Sequence, residues 1–400
     1  MEFTRVEFET AERTPDEVRK VIKTAKLHES ELTDITQVLR FAEQNVHNLN
    51  LKLMLLDDNL LQEIEAGNQL IFKGDVDENA VLCTQSRTYD IKEAETSNSL
   101  HLVPDLLFAA STDDGRPPRS IVHKDILNTF FTYYEVKPCK PRLLKLQKLL
   151  EETSYRGLEL EYEVDKTKLL TYEGIFDVIQ ASRAELDEEL VRLQALKIGE
   201  HYRLLDFDYE FRILSYMLDL IEENSWPLNK ISREVTLDSL KDLVPACILE
   251  AMFGFYTMES VEEGGTQYYQ YKEDKVCRFL ARVLLKSAGK FNLVEFMQAW
   301  RDSVPEGMIT HKSMLAGIAI TDESSQPPVI WGFSASDLPE DLNQRFKILF
   351  QAKPKWTLSE ISPYIELYAT EKLNVNALLT KYARASAQDG VRVFSAKHMK

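Results

Sequence analysis

The sequence predicts an α+β fold, with a β-rich segment near the N-terminus and a mostly helical remainder. Residues 68–103 are short apolar-alternating runs separated by Gly, Asp, Asn and Ser, a pattern typical of antiparallel strands. From about Val136 the chain repeats one order of elements: a long helix, a short helix, a second helix and strand-like residues. That order is typical of winged-helix modules. We therefore predict a small antiparallel β-barrel-like module followed by three to four tandem winged-helix domains.

The composition describes an ordered globular protein with more than one core. At 400 residues the chain is long enough for about two to four domains, and its 44% hydrophobic residues exclude a largely disordered protein. The four cysteines are scattered without a Cys-x-x-Cys pair, so we expect them to be reduced and buried. The N-terminus lacks a secretory signal, and no uncharged run approaches the ~20 residues of a membrane span. We expect an intracellular protein without membrane contact.

The predicted β module covers residues 1–135. Within it, residues 15–27 and 55–66 are predicted to be helical or mixed connections, and residues 105–120 a loop. A sheet of short strands leaves edges that a protein on its own normally protects, so the module either closes into a barrel or is completed by a partner. The candidate partner-binding residues are the apolar strand residues Leu70, Phe72, Val81, Tyr89 and Ile91, with Cys83 among them.

Four repeats make up the remainder of the chain. Their predicted boundaries are 136–206, 207–273, 274–337 and 338–400. Each repeat has a Thr or Asn that suits the N-cap of its short helix, because an acidic residue follows two or three positions later. These predicted caps are Thr171, Thr236, Asn292 and Thr357. The Gly264-Gly265 pair marks a hairpin tip in the second repeat. A generic helical array, with loops in place of hairpins, is the alternative.

The sequence contains no pattern of known catalytic chemistry. A phosphate-binding Gly-x-x-x-x-Gly-Lys-Ser/Thr loop is absent, as are His-Glu-x-x-His, Gly-x-Ser-x-Gly and Gly-x-Gly-x-x-Gly. Acidic pairs such as Glu188-Glu189 are adjacent on a helix and do not face each other, so they are interpreted as solvated surface. We therefore predict no catalytic residue, no metal ligand and no cofactor. An enzyme with an unfamiliar active site is the alternative.

The C-terminal segment is basic in a protein whose formal net charge is -17. Residues 378–388 are predicted to form an amphipathic helix that carries Lys381, Arg384 and Gln388 on its outer face. Asp389-Gly390 ends this helix, and residues 391–394 alternate as a half-buried strand does. The candidate DNA-binding residues are Lys381, Arg384, Arg392 and Lys397. A solvated basic face is the alternative.

Three other charged features bear on this prediction. Residues 137–148 hold five basic and no acidic residues, and another basic stripe recurs every four positions along a predicted helix. That stripe is Arg278, Arg282, Lys286 and Lys290. Both features suit a solvated face or phosphate contact. Residues 159–189 hold ten acidic side chains, which would repel DNA and suit a basic protein. The first winged helix is therefore predicted to bind protein and the last to face DNA.

Several strings, taken in order, resemble the sister chromatid cohesion protein of the Dcc family, an accessory subunit of the alternative, replication factor C-like clamp loader. They are KGDVDENAVLCTQSRTYDIKEAETSNSL, KIGEHYRLLDFDYE, KFNLVEF, SVPEGM, DLPEDLNQRFKILF, KWTLSEISPYI and ALLTKYARASAQDGVRVF. The resemblance runs from about residue 55 to residue 397. The first fifty residues contain no string to compare.

This resemblance implies a non-catalytic subunit that works in the nucleus. Its β module would pair with the small partner subunit and with the tail of the large ATPase subunit of the loader. Its C-terminal winged helices would contact single- and double-stranded DNA and DNA polymerase epsilon. The loader would act on the sliding clamp PCNA and support sister chromatid cohesion. The alternative is a purely protein-binding scaffold of helical or winged-helix modules in another nuclear complex.

Overall fold

The computed structural model describes residues 14–28, 35–42, 51–76, 78–108, 120–286, 289–323, 325–369, 373–388 and 390–397. They belong to two compact units. The first consists of Met1–Gly67 and Asp90–Lys137, and the second of Asn68–Tyr89 and Pro138–Lys400. The α+β class is confirmed. Residues 68–89 belong to the second unit, although the sequence analysis groups them with residues 1–135; the boundaries of the four repeats stay a prediction.

The N-terminal third alternates short helices and strands. In chain order it contains α1 (Pro15–Thr24), β1 (Ile35–Phe41), β2 (Met54–Leu55), α2 (Asp58–Glu65), β3 (Ile71–Lys73), β4 (Val81–Cys83), β5 (Thr88–Leu102), β6 (Ser120–Ile126) and β7 (Asn128–Pro138). The two predicted helical connections are confirmed as α1 and α2. A capping box between Thr14 and Glu17 starts α1, and the Asp57 side chain accepts the Leu60 N–H at the start of α2.

Strand direction in the first unit differs from the prediction. Strand β1 pairs in parallel with β6, and β2 pairs in parallel with β7. In the described residues β1 and β6 form a separate two-stranded sheet, so these strands do not close into the predicted antiparallel barrel. The antiparallel pattern covers only residues 68–103, where β3 and β4 do pair antiparallel, whereas β1, β2, β6 and β7 lie outside that range.

Strand β5 is one strand of 15 residues, where the sequence pattern indicates two. The polar residues Ser97, Asn98 and Ser99 continue the strand and are exposed. Turn-forming residues are tolerated on an exposed strand because neighbouring strands, rather than local propensity, determine the extended backbone. The predicted loop at 105–120 lies largely outside the described residues, which stop at 108 and resume at 120.

The rest of the second unit repeats one order of elements four times. The first repeat contains α3 (Leu144–Glu151), α4 (Tyr172–Val178), α5 (Arg183–Arg192), β8 (Leu196–Ile198) and β9 (His201–Arg203). The second contains α6 (Phe207–Glu223), α7 (Arg233–Leu240), α8 (Ala246–Tyr256), β10 (Thr257–Glu263) and β11 (Thr266–Tyr271). The third contains α9 (Glu273–Lys286), β12 (Phe291–Asn292), α10 (Leu293–Ser303), a 3-10 turn (Lys312–Leu315), β13 (Ala319–Asp322) and β14 (Val329–Gly332). The fourth contains α11 (Leu342–Ala352), β15 (Trp356–Thr357), α12 (Leu358–Ile365), α13 (Val375–Tyr382), β16 (Ala383–Gln388) and β17 (Val391–Ala396).

Each repeat ends in an antiparallel hairpin. In the third and fourth repeats a short strand before the second helix joins this hairpin, giving the strand orders β12-β14-β13 and β15-β17-β16. In the second repeat a single bridge between Ile231 and Tyr269 lies at the corresponding place. The predicted hairpin tip is confirmed, since Gly264 and Gly265 adopt φ values of 61° and 81°, a left-handed conformation that favours glycine.

Three of the four predicted helix caps are confirmed. Thr171, Asn292 and Thr357 each accept a backbone N–H at the start of α4, α10 and α12. The prediction of Thr236 is wrong, because α7 begins one turn earlier with Ser232 as its cap. Thr236 is buried inside α7, and its hydroxyl donates to the Ser232 carbonyl. Both residues suit a cap, so the sequence alone does not rank them.

The hairpin β3–β4 is held against the first repeat by a buried lysine. Lys73 is 8% exposed, and its Nζ donates to the carbonyl oxygens of Phe176 (2.6 Å), Ile179 (3.2 Å) and Ala181 (2.9 Å) at the end of α4. The ammonium also lies 3.1 Å from the centre of the Phe176 ring. Phe176 lies in the last turn of α4, where carbonyl groups lack intrahelical partners, and Ile179 and Ala181 follow the helix.

The four cysteines are free, as predicted, but they are not all buried. Cys83 and Cys277 are buried, Cys139 is half-buried and Cys247 is exposed. Cys247 faces solvent because α8 packs its opposite side, with Ile248 and Met252, into the core. In the described part of the chain, none of the helices is both long and apolar enough to cross a bilayer.

Candidate nucleic-acid interface

The basic C-terminal segment is a short helix and a hairpin. Helix α13 ends at Tyr382, and residues 383–388 form strand β16, so the prediction of a helix through Gln388 is wrong. Ala383 leaves the helical conformation with φ -125° and ψ 164°, and β16 pairs with β17 from Ala383–Ala396 to Gln388–Val391. The ladder of backbone hydrogen bonds outweighs the helix propensity of an alanine-rich segment. Asp389-Gly390 between two strands is the sequence signal that could have indicated this hairpin.

The hairpin separates two of the predicted DNA-binding residues. Arg384 lies opposite Ser395, and Arg392 lies opposite Ala387. Because neighbouring residues of a strand point to opposite sides of the sheet, Arg384 and Arg392 lie on opposite faces of the hairpin. Both side chains are exposed. They therefore flank the hairpin instead of sharing the predicted helix face.

The other two predicted residues lie together at the end of α13. Lys381 is exposed in the last turn of the helix. Lys397 is exposed after β17, and its Nζ donates to the carbonyl oxygens of Thr380 and Lys381, each at 3.2 Å. A cation at this position complements the negative end of the helix dipole. Lys397 thus has a structural role in addition to the DNA contact that stays a prediction.

The exposed cations of this segment have no acidic partner among the described residues. Within residues 14–369 and 373–397, apart from the gaps noted above, no carboxylate forms an ion pair with Lys381, Arg384, Arg392 or Lys397. Residues 338–400 carry ten Lys and Arg against six Asp and Glu, a net charge of +4 in a chain of -17. The fourth repeat therefore carries a net positive charge in a protein whose total charge is negative.

Lys355 is a further cation that the sequence analysis missed. It is exposed, and its Nζ donates to the Gln388 side chain at 3.0 Å. Gln388 shares a strand face with Arg384, which places Lys355 beside the same face of the hairpin. The signal in the sequence is the pair of lysines in KPKW just before the cap of α12.

The segment 137–148 and the stripe from Arg278 to Lys290 are the two other basic features, and several of their residues form contacts within the protein. Lys286 pairs with Asp208 at 2.7 Å, and the Arg278 guanidinium donates to the carbonyls of Met314 and Ala316. Lys145 pairs with Glu78 at 3.1 Å. In the segment 137–148, Arg142 and Lys148 are exposed and form no ion pair with a described residue.

Half of the ten carboxylates in the acidic segment 159–189 also form contacts within the protein. Five of its carboxylates form ion pairs with arginines; the pairs are Glu159–Arg212, Glu161–Arg203, Glu163–Arg156, Glu173–Arg183 and Glu189–Arg192. A hydrogen bond from Arg183 holds the pKa of Glu173 below its usual value. Protein binding by this repeat stays a prediction, and these pairs reduce the negative charge available for it.

The predicted partner-binding residues occupy different environments. Val81 and Tyr89 are buried in the second unit at 6% and 1% exposure. Leu70 and Ile91 are half-buried, and Phe72 is 61% exposed. Partner contact stays a prediction, in which Phe72 is the residue that presents an apolar side chain to solvent.

The first unit exposes more large apolar side chains than the sequence analysis identified. Phe41 on β1, Phe131 on β7 and Phe108 are 65%, 62% and 66% exposed, and Leu39 is 49% exposed. Exposed apolar side chains are typical of protein interfaces where they form a contiguous patch, and Leu39 and Phe41 share one side of β1. In the described residues no group of three His, Cys, Asp or Glu is arranged to hold a metal ion.

Comparisons with known proteins identify relatives over nearly the whole chain. A family model described as sister chromatid cohesion protein Dcc1 matches residues 51–365. A protein named sister chromatid cohesion protein DCC1 from Xenopus laevis is 39% identical over 386 residues, which cover 96% of this chain and 98% of the relative. The protein of that name from Homo sapiens is 38% identical over 388 residues, with coverage of 96% and 98%. The one from Saccharomyces cerevisiae is 24% identical over 373 residues, with coverage of 82% and 90%.

Proposed function

The chain belongs to the family of the sister chromatid cohesion protein Dcc1, and from this premise we propose that it is a non-catalytic subunit of an alternative clamp loader. The loader would load or unload the sliding clamp PCNA in the nucleus during DNA replication. In this role the chain connects the loader to DNA and to DNA polymerase epsilon. The family name supports the part in cohesion.

We propose that the four repeats are winged helices. The order of helices and strands in each repeat supports this, as do the strand orders β12-β14-β13 and β15-β17-β16. In such a module the terminal hairpin and the helix before it are the elements that reach DNA. In the fourth repeat these elements are the β16–β17 hairpin and α13.

The unpaired cations around that hairpin carry the proposal of DNA binding. Arg384 and Arg392 are exposed on opposite faces of the hairpin, and Lys381 is exposed in the last turn of α13. We infer that these cations meet backbone phosphates of DNA. Contacts of this kind position a protein on DNA without reading its sequence. Single- and double-stranded DNA therefore both suit this surface.

A double variant, Arg384→Ala with Arg392→Ala, tests this surface in the full-length chain. Binding to a labelled duplex, measured by fluorescence anisotropy between low and moderate salt, should weaken. The slope of log affinity against log salt should fall by about 0.9 for each lost phosphate contact, or about 1.8 in total. The matched control is Arg142→Ala with Lys148→Ala, which removes two exposed cations from the other basic segment.

The control distinguishes binding by the cations of the hairpin from attraction by the total charge of the chain. It should leave affinity and slope unchanged, because Arg142 and Lys148 lie at the start of the first repeat. An equal loss in both double variants would show attraction by total charge. An unchanged slope in Arg384→Ala with Arg392→Ala would reject the assignment to the hairpin.

Assembly with the small and large loader subunits is proposed to use the first unit and Phe72. The exposed apolar side chains of the first unit support this. In co-expression with the two subunits, Phe131→Asp and Phe72→Asp should reduce co-purification, whereas Leu358→Asp, at an exposed leucine of the fourth repeat, should not. Equal recovery of all three variants would contradict partner contact by Phe131 and by Phe72.

A purely protein-binding scaffold is the second candidate function. The exposed apolar side chains of the first unit favour it independently of the charge at the C-terminus. It predicts normal co-purification with partner chains together with no salt-dependent binding of DNA. The anisotropy experiment on the full-length chain therefore discriminates between the two functions.

A further inference from the structure

A groove between the second and third repeats has an apolar floor. It encloses about 780 Å³ between α6, α9, residues 225–228 after α6 and residues 302–306 after α10. The half-buried apolar side chains that line it include Phe211, Leu218, Trp226, Val283 and Val304. They pack on one side against the core of the second repeat and present their other side to the groove. Covering this surface would release water from apolar groups.

The rim of the groove is acidic. Asp219 and Glu222 lie one turn apart on α6, and Asp302 and Glu306 lie across the groove. All four are exposed, and no Lys or Arg is among the residues that line the groove. Asp302 accepts a hydrogen bond from the Gln298 amide at 2.8 Å, and in the described part of the chain none of the four forms an ion pair.

These carboxylates differ from those of the acidic segment 159–189, where arginines neutralise five of the ten. Like charges around a cleft with apolar walls concentrate negative potential there, because the walls screen poorly. The repulsion is relieved by a ligand that brings cations to the rim. A ligand that also brings apolar side chains buries the floor at the same time.

We propose that this groove binds a basic amphipathic segment of a partner protein. Two or three aliphatic or aromatic side chains of the segment lie on the floor, beside Trp226 and Val283. Its lysines and arginines meet the carboxylates on either rim. An amphipathic helix suits both requirements, since its i, i+3, i+4 and i+7 residues form one apolar stripe with charged residues on each side. Nucleic acid has the wrong sign of charge for this site.

A designed peptide tests the site in the full-length chain. The probe is a fluorescein-labelled helix of about 16 residues with leucines at i, i+3, i+4 and i+7 and lysines on both flanks. Anisotropy should show saturable binding with one site per chain, weakened by salt. The same peptide with glutamate in place of every lysine should not bind.

Variants of rim and floor should have different effects. Asp219→Lys with Glu222→Lys should weaken binding at least about tenfold and reduce its salt dependence. Trp226→Ala should weaken binding about tenfold with the salt dependence unchanged. Should Trp226→Ala lose its native circular dichroism, Asp302→Asn with Glu306→Gln replaces it as a variant confined to exposed side chains, with a loss of about fivefold expected.

The matched control is Glu188→Lys with Glu366→Lys, which makes the same change in net charge at exposed carboxylates outside the groove. It should retain the affinity of the unmodified chain. Equal weakening by the control, or binding that does not saturate, would overturn the proposal in favour of bulk charge attraction. Sedimentation equilibrium tests a second copy of the chain as the occupant: self-association that the groove variants abolish would also overturn it. The proposal would also be overturned if the chain bound an oligonucleotide and the groove variants abolished that binding.

Discussion

The acidic segment 159–189 and the basic segment 381–397 both stand out as charge runs in the sequence, and the structure uses them in opposite ways. Five carboxylates of the acidic segment pair with arginines inside the second unit. The four cations of the basic segment have no such partner among the described residues. A run of charge is thus available to a partner only where the fold leaves it unpaired. The comparison teaches that charge density alone does not identify an interface.

The largest expected effect comes from Arg203, the most deeply buried residue in the five ion pairs of the acidic segment. Arg203 is 2% exposed and donates to Glu161 at 2.7 Å and to the Thr153 carbonyl at 2.7 Å. Arg203→Met leaves the Glu161 carboxylate without its cation, so urea unfolding should show a loss of about 3–5 kcal/mol. Arg384→Met, at an unpaired arginine, should stay within about 0.5 kcal/mol of the unmodified chain. Equal losses would show that the two segments are not used differently.

Lys73→Met should have the next largest effect. It removes the ammonium that donates to the carbonyls of Phe176, Ile179 and Ala181, of which Ile179 keeps the Ala181 N–H, and this predicts a loss of about 2 kcal/mol at pH 7. The measurement is the urea midpoint of the full-length chain. A variant as stable as the unmodified chain would show that these carbonyls find water instead.

The stability difference between the unmodified chain and Lys73→Met should also depend on pH. Burial lowers the pKa of Lys73 from 10.5 to about 8. Between these two values the unfolded chain binds more protons at Lys73 than the folded chain does, so the contribution of Lys73 to stability rises with pH. The free energy of unfolding of the unmodified chain should therefore exceed that of Lys73→Met by an amount that grows between pH 8 and pH 10, at most about 1.4 kcal/mol per pH unit. A difference that narrows would contradict the lowered pKa.

Helix caps should have equal effects in the acidic segment and in the fourth repeat, because a cap acts within one turn. Thr171→Ala at α4 and Thr357→Ala at α12 should each cost about 1 kcal/mol in urea unfolding. The Thr357 N–H also donates to the Glu360 carboxylate at 2.9 Å, and Thr357→Ala retains this bond because the donor is the backbone. A cap effect confined to one region would point to a difference in helix stability rather than in charge pairing.

The smallest expected effect concerns Lys397, which contacts the end of α13. Lys397→Ala should cost about 0.3–1 kcal/mol, because it removes a cation from the last carbonyls of the helix. It should also lower the salt slope of DNA binding by about 0.9. Lost stability with an unchanged slope would make Lys397 purely structural and would confine the proposed interface to the other three cations.

How much of the fold can be predicted from the sequence depends on how far apart in the chain the interacting residues are. The helix starts at Thr171, Asn292 and Thr357 were predicted because capping joins residues three positions apart. The same local pattern suited both Ser232 and Thr236, and packing of Thr236 into the core decided between them. The boundary between α13 and β16 was mispredicted, because pairing with β17 overrides the local helical pattern.

The sequence predicts which basic residues are candidates for DNA binding, but it predicts the wrong arrangement of these residues on the surface. Their charge is evident in the sequence, and their exposure agrees with the predicted outer face. The division of Arg384 and Arg392 between two faces follows from the strand, which no helical spacing indicates. Lys355 was missed because it is close to Gln388 only through the fold.

By itself the sequence determined the order of helices and strands in the four repeats, most of their starting residues and the distribution of charge along the chain, since each depends on residues within a few positions of one another. The tertiary structure decided which charges are neutralised, the direction of strands β1 and β2, and which apolar side chains stay exposed. These depend on residues far apart in the chain, as in Arg203 with Glu161 or Lys73 with Ala181. Local patterns carry no information about such pairs, because contact between them exists only once the chain has folded.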